Sequence, residues 1–252
     1  MKPQVVCLPG GVAPAAQRYA PLVAVLGERA DLHLKDLEVY REPKPPAGYA
    51  VEMELAAIDS FAEEHGLERF HLLGYSGGGF ISLAYAGTRP RHIQSLALFE
   101  PARIPGPMTR DESAAFEALG ARLAGLEGAA FMSAFVRGQL KPGVELPPPP
   151  TSTSPEMQKR PAGVAALMQA FTVFQFDRSQ LEASPFPVFL GYGDLTHEVE
   201  SIKAGVLARL FADIQVRRFA GVHHFVPPEQ IYTSDHVRSL LDLWRRAETS
   251  AP

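Results

Sequence analysis

A single serine stands among four glycines in the stretch GYSGGG at residues 74–79. Gly74, Ser76 and Gly78 fit the pattern G-x-S-x-G, in which a serine on a strained turn between a strand and a helix acts as a nucleophile. The residues two before and two after the serine crowd that turn, so both must lack a Cβ. The pattern is short enough to arise by chance, so its context has to support it.

The residues on both sides of Ser76 have the required character. The apolar run HLLGY at 71–75 predicts a buried strand, and the small-residue run GGFISLAYAG at 78–87 predicts a helix. A phosphate-binding loop is disfavoured because no Lys-Ser or Lys-Thr pair follows the glycines. The remaining alternative is a glycine-rich turn without chemistry.

A serine hydroxyl needs a general base at neutral pH, and a histidine pair can supply it. His223 and His224 follow the strand-like run IQVRRF near the end of the chain. A metal site at this pair is disfavoured because no Asp, Glu or Cys lies at ligand spacing. The other histidines lack supporting context and are predicted to be surface or packing residues: His33, His65, His71, His92, His197 and His236.

Strand-like and helix-like segments alternate over residues 1–101 and 185–252, which predicts an α/β core with a mainly parallel sheet flanked by helices. Residues 102–184 are helical in character instead, and we predict that they form a helical cap inserted into the core. The stretch ELPPPPTSTSP at 145–155 cannot be helix, and it is a candidate for a mobile lid.

Composition narrows the class of protein. The chain has 252 residues, a formal net charge of -4 and a pI of about 6.1. It lacks the excess of positive charge that is typical of proteins that bind nucleic acid or an anionic membrane. No apolar stretch approaches the length of a membrane span, and the N-terminal apolar run is short for a secretion signal. We therefore expect a soluble, cytoplasmic protein. The lone cysteine, Cys7, lies in the run VVCL and is predicted to be a small core residue.

The chain resembles the α/β-hydrolase superfamily at four places. LPGGVAPAAQRYAPLVAVLG at 8–27 looks like the oxyanion loop and its helix, with Pro9 where the family usually has histidine. HLLGYSGGGFISLAYAGTRPRHIQSLALFEP at 71–101 looks like the nucleophile turn, its helix and the next strand. PVFLGYGDLTHEV at 187–199 resembles the strand that delivers the acid, and GVHHF at 221–225 resembles the histidine loop.

The resemblance implies roles for particular residues. It places the general base on His224, with His223 in the position of a glycine. It also implies an oxyanion hole made by the backbone N–H groups of Gly11 and Gly77. No metal or organic cofactor is required for this chemistry.

The acidic member of the site departs from the family pattern. The family strand usually ends G-D/E-x-D, but here Thr196 occupies the last position and cannot carry the charge that stabilises an imidazolium. Asp194, two residues earlier, is one candidate acid. Glu100, at the end of the preceding strand, is the other, and we favour it because a carboxylate at a buried strand end needs a partner such as histidine.

These inferences predict an enzyme that hydrolyses a small or medium hydrophobic carboxylic ester, thioester or lactone through an acyl-enzyme on Ser76. One alternative uses the same residues for C–C bond hydrolysis, cofactor-free haloperoxidation or lyase chemistry. Another is a non-catalytic ligand receptor. The apolar preference rests on aromatic and methionine residues of the predicted cap, most of which we expect in its own core: Phe116, Phe131, Phe135, Phe171, Phe174, Phe176, Met108, Met132, Met157 and Met168.

Overall fold

Six parallel strands form one sheet in the computed structural model, which describes residues 2–146 and 154–249. Their order across the sheet is β2-β1-β3-β4-β5-β6. The strands are β1 (Gln4–Leu8), β2 (Asp31–Leu34), β3 (Phe70–Tyr75), β4 (Ile93–Phe99), β5 (Val188–Gly193) and β6 (Ile214–Phe219). The predicted α/β class with a mainly parallel sheet is confirmed.

Helices cover both faces of the sheet. The helices are α1 (Ala15–Leu26), α2 (Val51–Glu64), α3 (Gly77–Thr88), α4 (Arg110–Ala121), α5 (Gly128–Gly138), α6 (Pro155–Gln158), α7 (Arg160–Val173), α8 (Ser179–Glu182), α9 (Val199–Leu210), α10 (Pro228–Ile231) and α11 (Ser234–Thr249). Every residue of β3 is buried, because a parallel sheet with helices on both faces has no solvated side.

Two apolar layers hold the sheet. One layer packs α2, α3 and α9 against strand residues such as Leu72 and Leu96. The opposite layer packs α1 and α11 against Leu73 and Ala97, the alternate residues of the same strands. Cys7 belongs to this second layer and is fully buried, and burial raises the pKa of its thiol, as suits a core residue.

The sheet brings two loops together at its carboxyl edge. β1 lies between β2 and β3, so the direction in which strands are added reverses at β1. Ligands of open α/β sheets bind at such a switch point, beyond the carboxyl ends of the strands. Leu8 of β1 pairs with Gly74 of β3, so the residues that follow these strands, Pro9 and Ser76, leave the sheet side by side.

Residues 102–184 contain α4 to α8 and lie between β4 and β5. They add no strand to the six-stranded sheet in the part of the chain that is described. Isolated bridges pair Gly106 with Asp177 inside this segment and Leu140 with Thr196 of the core. Most of the predicted lid at 145–155 lies outside the described residues, because residues 147–153 are not among them.

Over residues 2–146 and 154–249, none of the helices combines the length and the hydropathy that crossing a bilayer requires.

Candidate active site

Ser76 occupies the turn between β3 and α3 in a conformation that non-glycine residues rarely adopt. Its φ is 54° and its ψ is -116°. A conformation of this kind costs roughly 1–3 kcal/mol and persists only where the surroundings fix it. Here the Ser76 N–H donates to the Phe99 carbonyl at 3.1 Å, and the Ser76 carbonyl accepts from Ala102 N–H at 2.8 Å.

The glycines on either side of Ser76 are required by close approach. A Cβ at Gly74 would lie 2.3 Å from Ser82 Oγ and 2.7 Å from the Gly78 carbonyl oxygen. A Cβ at Gly78 would lie 2.4 Å from the Pro9 carbonyl oxygen, to which the Gly78 N–H donates. These contacts agree with the steric argument made from the sequence.

A continuous chain of hydrogen bonds links Ser76, His224 and Glu100. His224 Nε2 lies 3.0 Å from Ser76 Oγ, and His224 Nδ1 lies 2.5 Å from Glu100 Oε2. His224 is 3% exposed and Glu100 is fully buried. The imidazole also stacks on the Tyr75 ring at a centroid distance of 5.0 Å, and the Tyr75 hydroxyl donates to the His224 carbonyl.

Thr196 donates a hydrogen bond to Glu100. Glu100 Oε1 accepts from the Thr196 hydroxyl and from the Gly193 N–H, each at 2.6 Å. Glu100 has a φ of 47°, so it too lies in the left-handed region. The residue that stands where the family usually has aspartate therefore donates to a carboxylate delivered by the neighbouring strand.

Asp194 faces away from this chain of hydrogen bonds. Its Oδ1 accepts from the Gly221 N–H at 2.8 Å, and its own N–H donates to the Phe219 carbonyl at 3.0 Å. Asp194 thus ties the end of β5 to the loop that carries His224. His223 Nδ1 accepts from the Phe225 N–H at 3.2 Å and makes a local contact within that loop.

The protonation states suit proton transfer from a serine. Burial lowers the pKa of His224 below its ordinary value, and the hydrogen bond and charge of Glu100 oppose that fall. Burial would by itself raise the pKa of Glu100, but the hydrogen bonds and charge of His224, with those from Thr196 and Gly193, outweigh it and lower that pKa. A neutral imidazole therefore faces Ser76 with an ionised carboxylate behind it.

A buried ion pair that the sequence analysis missed lies beside Glu100. Lys203 and Glu200 of α9 are paired, and Lys203 Nζ also donates to the carbonyl of Pro101, the residue after Glu100. Burial raises the pKa of Glu200 to about 8, against the lowering effect of Lys203. The only sequence signal was a Glu-x-x-Lys spacing, which is equally common on exposed helix faces.

The backbones of Gly11 and Gly77, the two predicted oxyanion donors, lie close together. Gly77 begins α3, and a Cβ built on Gly77 would lie 3.8 Å from the Gly11 nitrogen. Neither amide has an acceptor among the residues that the structure describes. The Tyr40 hydroxyl donates to the Gly11 carbonyl at 2.7 Å and so fixes the plane of the peptide that follows.

An apolar cavity of about 180 Å³ lies in front of these groups. Gly11, Ser76 and Gly77 form one wall. The opposite wall comes from α4, α5 and α7 and includes four residues singled out from the sequence: Phe116, Phe135, Met168 and Phe171. Residues 102–184 therefore supply most of the surface that a substrate would touch.

Within the described ranges, no group of three or more His, Cys, Asp or Glu side chains could hold a metal ion.

Comparison with known proteins places the chain among related folds. A family model described as the alpha/beta hydrolase fold matches residues 3–229, which is most of the chain. Among curated proteins, none matches the sequence. The backbone does match solved structures.

Three of those structures illustrate the likeness. An alpha/beta hydrolase from Sphaerobacter thermophilus is 22% identical with a TM-score of 0.67, over 96% of this chain and 92% of that one. A thermophilic esterase from Thermogutta terrifontis is 17% identical with a TM-score of 0.70, over 97% and 90%. Carboxylesterase CesB from Bacillus subtilis is 19% identical with a TM-score of 0.65, over 94% and 82%.

Proposed function

The chain belongs to the alpha/beta hydrolase fold family, and from that premise we propose that it is a serine hydrolase of a small or medium hydrophobic carboxylic ester. A thioester or a lactone would react by the same route. The observation that carries this proposal is the hydrogen-bond chain from Ser76 Oγ through His224 to Glu100, at the wall of an apolar cavity.

In the proposed mechanism, Ser76 is the nucleophile and His224 is the general base. Ser76 Oγ attacks the ester carbonyl carbon as its proton passes to His224 Nε2. Glu100 holds the ring through Nδ1 and stabilises the imidazolium that forms. The N–H groups of Gly11 and Gly77 donate to the oxyanion, and each such donor contributes about 3 kcal/mol to barrier reduction in comparable enzymes.

The acyl-enzyme then forms and is hydrolysed. The tetrahedral intermediate collapses, and the departing alkoxide takes the proton from His224 to leave as the alcohol. A water molecule attacks the acyl-enzyme and gives one proton to His224, which returns it to Ser76 Oγ as the carboxylic acid departs. One ester and one water thus become one acid and one alcohol. The scheme calls for no metal or organic cofactor.

Other findings favour this function over the alternatives. Two of the structural neighbours are named as an esterase and a carboxylesterase. A chain without an acid behind the histidine would favour the non-catalytic receptor, but Glu100 contacts His224, which supports an enzyme instead. We further propose a small-molecule substrate, without a nucleic-acid partner. The cytoplasmic location stays a prediction from the sequence.

The test is turnover of p-nitrophenyl esters from acetate to octanoate, together with covalent labelling by an organophosphonate. We expect activity and a label on Ser76. Ser76→Ala should lose about three to six orders of magnitude in kcat, because the nucleophile and its base act as a unit. Ser60→Ala, at an exposed serine of α2, is the matched control and should behave like the wild type.

A wild-type protein that neither turns over any ester of this series nor accepts the label on Ser76 would contradict the proposal.

A further inference from the structure

Arg103 is the single charged residue among the described residues that line the cavity in front of Ser76. It is held close to the nucleophile by the backbone, because the N–H of the preceding residue, Ala102, donates to the Ser76 carbonyl. The rest of the lining is apolar or neutral, with Gln139 and Thr172 as polar members. An apolar cavity with one cation suits an apolar ligand with one anionic group.

The guanidinium of Arg103 lacks an acidic partner in the part of the chain that is described. Its Cζ lies 5.5 Å from the centroid of the Phe116 ring, which also lines the cavity, and no ion pair or hydrogen bond engages it. Residues 1, 147–153 and 250–252 contain neither Asp nor Glu. Burial lowers the pKa of Arg103, and no carboxylate opposes that effect.

Two other arginines that are partly or fully buried are paired with acids. Arg178 lies 2.8 Å from Glu112, and the buried Arg160 lies 3.3 Å from Glu156. A partly desolvated cation without a counterion is unfavourable, and an anionic ligand would remove that cost. Arg18 is also buried without an acidic partner in the described part of the chain, but its guanidinium carbon lies 3.5 Å from the centroid of the Tyr75 ring and it does not line the cavity. Arg103 is therefore the unpaired arginine whose partner can arrive with the substrate.

A second cavity of about 560 Å³ is also lined by Arg103. The two share Arg103, Phe171 and Thr172 in their linings. Asp177 also lines the second cavity, but its Oδ1 accepts from the Ser179 N–H at 2.8 Å and it makes no ion pair with Arg103. Arg103 therefore borders both cavities.

We propose that Arg103 binds a carboxylate of the substrate, so that the preferred ester carries one acidic group separated from the scissile carbonyl by an apolar spacer. This inference rests on the proposed function. The carboxylate can belong to the acyl chain or to the alcohol, and the guanidinium forms the same paired hydrogen bonds with either.

The experiment compares kcat/KM for matched charged and neutral esters in two arms. The acyl arm uses p-nitrophenyl hydrogen adipate against p-nitrophenyl hexanoate. The alcohol arm uses 4-carboxyphenyl butanoate against 4-carbamoylphenyl butanoate. In one arm, the wild type should prefer the charged ester by about tenfold or more, as expected for a hydrogen bond between charged groups.

Variants test whether Arg103 causes that preference. In Arg103→Gln, the ratio of the two kcat/KM values should fall to about one, and Arg103→Lys should keep part of it. Both kcat/KM values are measured on the same variant, so a general loss of activity lowers both and leaves their ratio unchanged. Arg110→Gln, at an exposed arginine outside both linings, is the control and should keep the wild-type ratio.

The outcomes separate this inference from the proposed function. Turnover of neutral esters without a charged-ester preference in either arm would overturn the role of Arg103 and leave the hydrolase intact. A preference that survives Arg103→Gln would also overturn it. Absence of turnover of every ester would overturn both.

Discussion

Two side chains with proposed chemical roles, Ser76 and Glu100, lie at positive φ at the ends of neighbouring strands. Each position is fixed by a backbone hydrogen bond to the next strand, from Ser76 N–H to Phe99 and from Glu100 N–H to Gly191. The strain at both positions, roughly 1–3 kcal/mol each, is tolerated because the sheet holds them. The two side chains can thus form hydrogen bonds with the two different ring nitrogens of His224.

The roles of the two candidate acids can be separated by amide substitution. Glu100→Gln should lower kcat by about three to four orders of magnitude, because an amide cannot stabilise the imidazolium. Asp194→Asn should change kcat by less than about threefold, because an amide oxygen can still accept from the Gly221 N–H. Steady-state rates on one p-nitrophenyl ester give both values. A crippling effect confined to Asp194→Asn would reverse the assignment.

The pH profile gives a second view of the Glu100–His224 contact. Burial lowers the pKa of His224 and Glu100 raises it, with a net fall below its ordinary value. The kcat/KM of the wild type should therefore hold steady down to about pH 6.5 and decline only below it, as the imidazole becomes protonated.

In Glu100→Gln the raising effect is absent, so the pKa of His224 falls further. In this variant, kcat/KM should be lower at its plateau, and its decline on the acidic side should begin at a lower pH than in the wild type. In Asp194→Asn, the decline should begin at the wild-type pH. A limb that moves to higher pH in Glu100→Gln would show that Glu100 does not interact with the base.

At the scale of elements, the ends of β4, β5 and β6 and the start of α9 are joined into one unit. A Cβ at Gly193 would lie 2.1 Å from the Val222 carbonyl oxygen, so the end of β5 and the histidine loop touch backbone to backbone. Leu195 N–H donates to the same carbonyl at 2.9 Å. Lys203 then connects α9 to the Pro101 carbonyl. The proposed acid and the proposed base are therefore positioned by the same group of strand ends.

The Lys203–Glu200 pair should affect how the free energy of unfolding depends on pH. Lys203→Met removes the cation that lowers the pKa of Glu200, so that pKa rises above about 8 in the folded state. Both proteins carry a protonated Glu200 at low pH, and the extra destabilisation of Lys203→Met should therefore grow as the pH rises above about 8. It should reach about 2 kcal/mol at pH 9.5, because each pH unit above the wild-type pKa of about 8 contributes about 1.4 kcal/mol while Glu200 of the variant stays protonated.

Urea denaturation between pH 6 and pH 9.5 measures this difference. The double variant Lys203→Met/Glu200→Gln has no buried carboxyl at that position, so it should lack the added pH dependence. If Lys203→Met lowered the free energy of unfolding by the same amount at every pH in this range, the proposed effect of Lys203 on the pKa of Glu200 would be wrong.

At the scale of the whole molecule, Tyr40 connects the inserted segment to the oxyanion loop. The Arg160 guanidinium carbon lies 4.0 Å from the centroid of its ring, and a Cβ at Gly163 would lie 1.9 Å from its Cε1 atom. The hydroxyl of the same residue reaches the Gly11 carbonyl. Helix α7 and a proposed oxyanion donor are thus in contact with one side chain.

Tyr40→Phe should lower kcat by about two- to tenfold with little change in KM, because the loop that carries the proposed Gly11 donor loses the hydrogen bond at the Gly11 carbonyl. Tyr85→Phe is the matched control, since its hydroxyl bonds to Asp59 far from the cavity. Comparable thermal stability of the two variants would assign the rate effect to the loop. An equal loss of kcat in both variants would point to packing instead.

The sequence predicted the sheet and its alternation because buried parallel strands are continuous apolar runs, of which QVVCL and HLLGY are examples. Ser76 could be singled out because the close contacts at Gly74 and Gly78 leave glycine as the residue that fits. Glu100 was only one of two candidate acids, because the choice depends on which strand ends meet the histidine loop. Lys203 had only the ambiguous Glu-x-x-Lys spacing, because its burial is visible only in the folded chain. Arg103 had no local signal, because its place in the cavity lining depends on the fold.

Glu100 and Arg103 are three positions apart, so the chain passes from the carboxylate behind the imidazole to the wall of the cavity within one short stretch. Position 196 is itself tied to the insert, because Thr196 forms an isolated bridge with Leu140 and the His197 N–H donates to the Gln139 carbonyl. In the roles proposed above, Glu100 orients the base and Arg103 contacts the substrate, so a change in the path of the chain after β4 would alter both. Evolution of the proposed substrate preference would then be constrained by the proposed acid.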